Sequence, residues 1–314
     1  MNRTVADIRL SQHSLRIADP RRSLAFYCDQ LGMRLISPTA PVEKNAPQLS
    51  YMLAFSKQNN SGAFPEAALE LIHCPGASIT NRVDDPSKQS GYWKIGITVR
   101  DVDIARQLLL ANGIEVSTAA QFLDVGYLCH LADPDGYSIE LLQHDFEENH
   151  ESQKRQSQFA LGTPATLGQV TLRITDPEKS LAFYETALGL RLLSRQIIPQ
   201  HGFTLYFLAE PSEDPPYADV DAVQNREWLW RRPYTVLQLQ HRWAKGNERI
   251  SYIVGPEAGF ERLSFRIDDL ETCLGAIEWA IQKPAVRTEK SDLKGNHITS
   301  INIVDLEGYS IPFN

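Results

Sequence analysis

The chain has 314 residues, 42% of them hydrophobic and 22% charged, with 31 Lys and Arg against 39 Asp and Glu for a net charge of −8. That length supports two domains with sizeable cores, and the acidic balance leaves no basic footprint for nucleic acid. No apolar leader follows the N-terminal Met and no run approaches the ~20 apolar residues of a membrane span, so a soluble cytoplasmic protein is expected.

Strand and helix signals alternate along the chain. Leu15 and Ile17 alternate with Arg16 and Ala18, a strand pattern. Asp19-Pro20 then suits the N-cap and first turn of a helix. Leu24, Phe26, Tyr27 and Leu31 form its apolar face, and Gly32 closes it. Strands are predicted near 33–37, 50–56 and 67–73. A second unit predicts a strand at 95–99, a helix over 101–112 ending at Gly113, and strands near 114–118, 126–132 and 137–143. The DPDG run at 133–136 is a hairpin signal. The polar run at 144–158 reads as a solvated connector, and the proline-bearing insert at 210–228 as a surface loop. Cys28, Cys74, Cys129 and Cys273 stand far apart with no CxxC pair, which predicts reduced, mostly packed thiols.

The chain repeats itself. LRIADPRRSLAFYCDQLGMRLIS at 15–37 and LRITDPEKSLAFYETALGLRLLS at 172–194 agree at 15 of 23 positions, at an offset of 157. LELIHCPG at 69–76 answers LQLQHRWA at 237–244, and DPDGYSIELL from Asp133 answers DLEGYSIPFN from Asp305. IGITVRDVD from Ile95 answers LSFRIDDLE from Leu263, so each half holds two smaller units. The expected architecture is α+β, with four βαβββ modules at about 8–75, 92–143, 167–243 and 259–314. Residues 1–143 would form the first domain, 144–164 a linker and 165–314 the second domain.

The string LRxxDPxxSLxFYxxxLGxRLL, then LELxH, IGIxVxDV and DPDGYxIELL, resembles fused two-domain glyoxalase I of the vicinal-oxygen-chelate superfamily. The resemblance implies paired modules forming cupped half-barrels, each around a divalent metal held by four strand residues. Those positions are Gln12, Glu70, Lys94 and Glu140 in the first half, and Gln169, Gln238, Arg262 and Pro312 in the second. A metal needs lone-pair donors, which an ammonium, a guanidinium and a proline ring do not supply. The second half is therefore expected to hold no metal. In the first half Gln12, Glu70 and Glu140 are expected as ligands converging around Lys94, with His130 as a substitute ligand or substrate contact. Because that half keeps three of four ligand types, cups formed within each half are favoured over cups formed across halves.

The implied function is a lactoylglutathione-lyase-type lyase or isomerase acting on a small carbonyl or thiol adduct, such as a glutathione adduct. Glu70 and Glu140, with Lys94, would carry the catalysis. Arg16 and Arg173 match the family arginine that grips a glutathione carboxylate. One zinc, nickel or iron ion in the first domain is one expectation and a metal-free cup the other, in a monomer or homodimer. The alternatives are a metal-free small-molecule binder similar to bleomycin-resistance proteins, and an extradiol dioxygenase, which would need two histidines where this sequence has none. Cys129 is expected as a buried thiol, His73 and His241 as structural, and Trp228, Trp230 and Trp243 as core aromatics in preference to walls of a pocket.

Overall fold

The computed structural model describes residues 8–41, 49–57, 65–73, 75, 90–210, 213–246, 249–267, 287–294 and 297–313. Cys74 and Cys273 lie outside them, while Cys28 and Cys129 are free thiols. Among the described residues no helix is long and apolar enough to cross a membrane.

The first module supplies β1 (Ile8–Ile17), α1 (Pro20–Leu24), β2 (Arg34–Pro41), β3 (Leu49–Ala54) and β4 (Ala68–His73). The second supplies β5 (Tyr92–Val99), α2 (Val102–Ala111), β6 (Ala120–Phe122), β7 (Gly126–Ala132) and β8 (Ser138–Gln143). The third holds β9 (Ala165–Ile174), α3 (Pro177–Leu181), β10 (Arg191–Ile198), β11 (Phe203–Ala209), α4 (Gln224–Trp230) and β12 (Val236–Arg242). The fourth holds β13 (Phe260–Ile267), β14 (Arg287–Lys294), β15 (His297–Val304) and β16 (Ser310–Phe313).

Local chemistry explains the helix starts. Asp19 caps α1 through Arg21 and Arg22 N–H, and Asp176 caps α3 through Lys179 N–H. Beyond each first turn the chain widens. Leu31 N–H bonds the Phe26 carbonyl and Leu188 N–H the Phe183 carbonyl, five residues back. The widened turn directs neighbouring rings inward together, Phe26 with Tyr27 and Phe183 with Tyr184. Two other expectations are corrected. The strand expected at 114–118 forms instead at β6, with Val116 making only an isolated bridge to Leu131. The end of the 210–228 insert folds as α4, because Leu229 and Trp230 bury an apolar side there.

The four modules build two eight-stranded sheets, ordered β14-β15-β16-β13-β1-β4-β3-β2 and β10-β11-β12-β9-β5-β8-β7-β6. The joining pairs are β1 with β13 and β5 with β9, both antiparallel. Sheet 1 thus unites the first and fourth modules, and sheet 2 the second and third. The favoured within-half cups are therefore overturned: the edges that pair belong to opposite halves. Modules of one half still touch, but through side chains. Tyr27 Oη donates to Asp133 at 2.9 Å, and Tyr184 Oη to Asp305 at 2.9 Å. Tyr137 Oη donates to the Arg16 carbonyl and Tyr309 Oη to the Arg173 carbonyl, so each GYSI tyrosine reaches from its own sheet to the other. Tyr92 stacks on Phe260 at 5.2 Å within one apolar core fed by both sheets. The recurrent FY and GYSI motifs thereby serve the packing between sheets, while hydrogen-bond ladders join the halves.

Candidate active site

The crossed pairing divides the candidate residues between two cups. In sheet 1, Gln12 on β1 lies opposite Ser264 of β13, and Ser14 lies opposite Arg262. Side chains alternate along a strand, so Gln12 and Ser14 share a face while His13 points the other way. Both reach Glu70 of β4: Gln12 Nε2 donates to Oε2 at 2.6 Å and the Ser14 hydroxyl donates to the same oxygen. Arg262 donates to Oε2 at 2.8 Å, and Ser50 of β3 donates to Oε1 at 2.6 Å. Glu70 is thus a buried carboxylate answered by four donors. Pro312, at the fourth position, is held in the β15–β16 ladder opposite Asn302.

Sheet 2 repeats the frame with other side chains. Gln169 on β9 lies opposite Gly96, and Thr171 opposite Lys94. The Lys94 ammonium donates to Glu140 Oε2 from within the sheet, both side chains being nearly fully buried. Gln169 Nε2 donates to Oε1 at 2.8 Å, and His130 Nε2 lies 3.1 Å from Oε2. Burial alone would raise the Glu140 carboxyl, but the Lys94 charge and the hydrogen bond from His130 outweigh it and hold the group at about 2. Lys94 also lies 4.3 Å from the Trp93 ring centre, where the aromatic face favours a cation. Gln238, opposite Thr171, accepts that hydroxyl's hydrogen bond at 2.6 Å.

A cavity of about 220 Å³ opens on this second cup. Lys94, Glu140, Gln169 and His130 make its polar floor and rim, and its walls include Trp93, Phe122, Phe203 and Trp230. Trp230 is fixed by a hydrogen bond to the Val125 carbonyl at 3.0 Å and by an edge contact with Phe207. Trp93 and His130 also border a wider groove of about 990 Å³ that extends past Arg22 and Phe26. They stand between a small chamber and a larger channel.

The expected convergence of Gln12, Glu70 and Glu140 around Lys94 is therefore split: Gln12 and Glu70 meet Arg262, whereas Lys94 and Glu140 meet Gln169 and His130. Arg16 is engaged by Glu261 at 2.7 Å. Arg173 donates to Gln240 at 3.1 Å and to the Ser90 carbonyl at 2.9 Å, with its guanidinium 5.3 Å from the Trp93 ring centre. Burial pushes Cys129 up to about 12, far from a reactive thiolate. Trp243, expected in the core, is 37% exposed and donates to Thr204. Sequence reasoning missed Trp93, Phe122, His201 and Phe203 as cavity residues. The tilted stack of Phe122, His201 and Phe203 forms only when β6 and β11 meet, which no local pattern announces.

A divalent metal does not fit either cup. Lys94 and Arg262, at the position of the third ligand, offer donors and no lone pairs. Among the described residues no group of three or more His, Cys, Asp and Glu side chains is placed to hold a metal ion.

A profile of the Glyoxalase/Bleomycin resistance protein/Dioxygenase superfamily matches residues 9–141. The lactoylglutathione lyase of Schizosaccharomyces pombe is 28% identical over 86% of this chain and 85% of its own length. The chain is glyoxalase I-like: glyoxalase I of Saccharomyces cerevisiae is 28% identical over 76% of this chain and 71% of its own. Glyoxalase I from Zea mays has the same fold, with a TM-score of 0.70 at 21% identity over 98% of this chain and 92% of that one.

Proposed function

We propose that this chain is a lyase of the glyoxalase I type whose reaction chamber is the sheet 2 cup. Its substrate is a small carbonyl compound joined to a thiol such as glutathione. The observation that carries this reading is a buried, ionised Glu140 paired with Lys94 at the floor of an apolar cavity. A carboxylate there can take a proton from the carbon next to a carbonyl and return it to the neighbouring carbon. Lys94 donates to the oxygen on which negative charge develops, as a preorganised donor in a low-dielectric site. The chamber suits the reacting carbons, and the groove beyond Trp93 and His130 suits the larger thiol part. Arg173, 5.3 Å from the Trp93 ring centre, is the family-position arginine that would attract a carboxylate of the thiol carrier. A cytoplasmic, glutathione-containing compartment belongs to the same reading.

The test is conversion of the methylglyoxal–glutathione hemithioacetal to its thioester by the purified chain, followed by loss of that rate in Glu140→Gln. Binding of the adduct without any turnover by the unaltered chain would sink the lyase reading. It would leave a small-molecule binder, the reading favoured by Glu140 oxygens that are already engaged.

A further inference from the structure

We infer that the Lys94 ammonium does the work of a divalent cation in the sheet 2 cup, so that this chain binds and polarises its ligand without metal. The inference rests on the reading of that cup as the reaction chamber. Three observations on separate strands lead to it. Lys94 stands on β5 at the register of the lost ligand, 4% exposed, with its charge facing Glu140 and not solvent. Both oxygens of Glu140 are occupied, Oε2 by Lys94 and His130 and Oε1 by the amide nitrogen of Gln169. That last bond fixes the orientation of Gln169, since a carbonyl facing the carboxylate would be repelled. It leaves Gln169 Oε1, a buried acceptor of a residue that lines the cavity, with no donor among the described residues.

The floor therefore offers two complementary points, a cationic donor at Lys94 and an unanswered acceptor at Gln169. A ligand that satisfies both carries a carbonyl oxygen or oxyanion next to a hydroxyl. Its remaining surface meets Trp93, Phe122, Phe203 and Trp230, which suits an apolar or aromatic group. In turnover the carbon-bound proton passes to a Glu140 oxygen while the carbonyl π pair moves onto oxygen, where Lys94 donates to the oxyanion. The Glu140 proton then goes to the former carbonyl carbon, whose oxyanion takes up the proton of the neighbouring hydroxyl, and that hydroxyl oxygen closes to the new carbonyl, so no oxidant or ion is consumed. A buried acceptor left unpaired costs stability, and a ligand hydroxyl relieves it, which links recognition to that one atom.

The test uses the full chain and two probes, benzohydroxamate, which carries carbonyl and hydroxyl, and benzamide, which lacks the hydroxyl. Calorimetry is expected to give the same benzohydroxamate affinity with and without a chelator, and no stoichiometric uptake of Zn²⁺ or Ni²⁺ by the chelator-washed chain. Glu140→Gln, which keeps the lysine, is the reference variant against which loss of Lys94 is read. Glu140→Gln with Lys94→Met, which keeps the volume and stays neutral, is expected to lose at least tenfold. Gln169→Met is expected to lower the preference for benzohydroxamate over benzamide at least fivefold, a ratio that a general loss of packing would not move. One equivalent of tightly bound metal, chelator-sensitive binding, or equal affinity in the single and double variants would overturn the inference. Metal-free binding of benzohydroxamate without hemithioacetal turnover leaves it standing and removes only the lyase reading.

Discussion

The two cups begin from one frame and end with opposite chemistry. Gln12 and Gln169, Ser14 and Thr171, Arg262 and Lys94, and Asn302 and His130 occupy matching register positions. Each cup keeps one carboxylate against one cation, but sheet 1 takes it from β4 as Glu70 and sheet 2 from β8 as Glu140. In sheet 1 two serines join the amide and the guanidinium, and the carboxylate is saturated by the protein itself. In sheet 2 a glutamine acceptor has no donor among the described residues, and an apolar chamber opens over the pair. The duplication thus separates two uses of a buried ion pair: closed on itself it serves the fold, and left short of one partner it can serve a ligand.

The largest expected effect tests whether this division is functional. Glu140→Gln is expected to lower kcat/KM for the hemithioacetal by 10² to 10⁴, the usual range for loss of a positioned acid or base. Glu70→Gln, in the closed cup, is expected to leave it within about threefold. Equal losses at the two positions would abolish the distinction between the cups.

Stability sharpens the same comparison. Lys94→Met strands a buried Glu140 and is expected to cost about 3–5 kcal/mol in urea unfolding, most of it recovered by adding Glu140→Gln. Arg262→Met leaves Glu70 with Gln12, Ser14 and Ser50, and Arg262 is itself partly exposed, so about 1–2 kcal/mol is expected. A larger cost in sheet 1 than in sheet 2 would contradict the account of which pair depends on its cation.

How far the sequence reached can be read from the same residues. The Asp-Pro helix starts, the glycine stops and the four modules were legible because each is a local rule or a repeated string. Family position picked out Lys94 and Glu140. Their separation from Gln12 and Glu70 was not legible, because it depends on which strand edges pair across about 190 residues, as between Arg262 and Glu70. Most of the chamber walls were hidden for a similar reason: Trp93, Phe122 and Phe203 come from three separate strands of two modules. The prolines of the 210–228 insert argued for a loop, and α4 forms at its end where Leu229 and Trp230 become buried.

Acid titration probes sheet 2 from another side. Glu140 at about 2 lies below its ordinary value of 4.5, so its contribution is full above pH 4.5 and lost as pH falls toward 2. At about 1.4 kcal/mol per pKa unit the loss is about 3 kcal/mol. Burial also holds His13 neutral, down to about 3 from 6.5, so the chain loses stability earlier as pH falls below 6.5, because the unfolded state takes up that proton first. Asp133 and Asp305, raised by burial to about 7 and about 6, take up protons in the folded chain first and oppose that loss, so the net fall in urea midpoint is expected below about pH 4. Glu140→Gln with Lys94→Met should flatten the part below pH 4.5 and leave the part above unchanged; an unaltered lower part would separate Glu140 from the acid response.

The smallest effect concerns the strand facing each glutamine. A Cβ on Gly96 would lie 2.3 Å from Gln169 Cγ and 2.5 Å from its amide nitrogen, so the Gln169 side chain rests where only a glycine leaves room. The matching position in sheet 1 is Ser264, whose side chain leaves Gln12 its own path to Glu70. Gly96→Ala is therefore expected to displace Gln169, cost about 1–3 kcal/mol and weaken benzohydroxamate more than benzamide. Ser264→Gly is expected to cost about 0.5–1 kcal/mol, through backbone freedom alone, with ligand affinities unchanged. If Gly96→Ala lowers both probes by the same factor, the glycine supports the strand and not the acceptor, and the contrast between the cups then rests on their ion pairs alone.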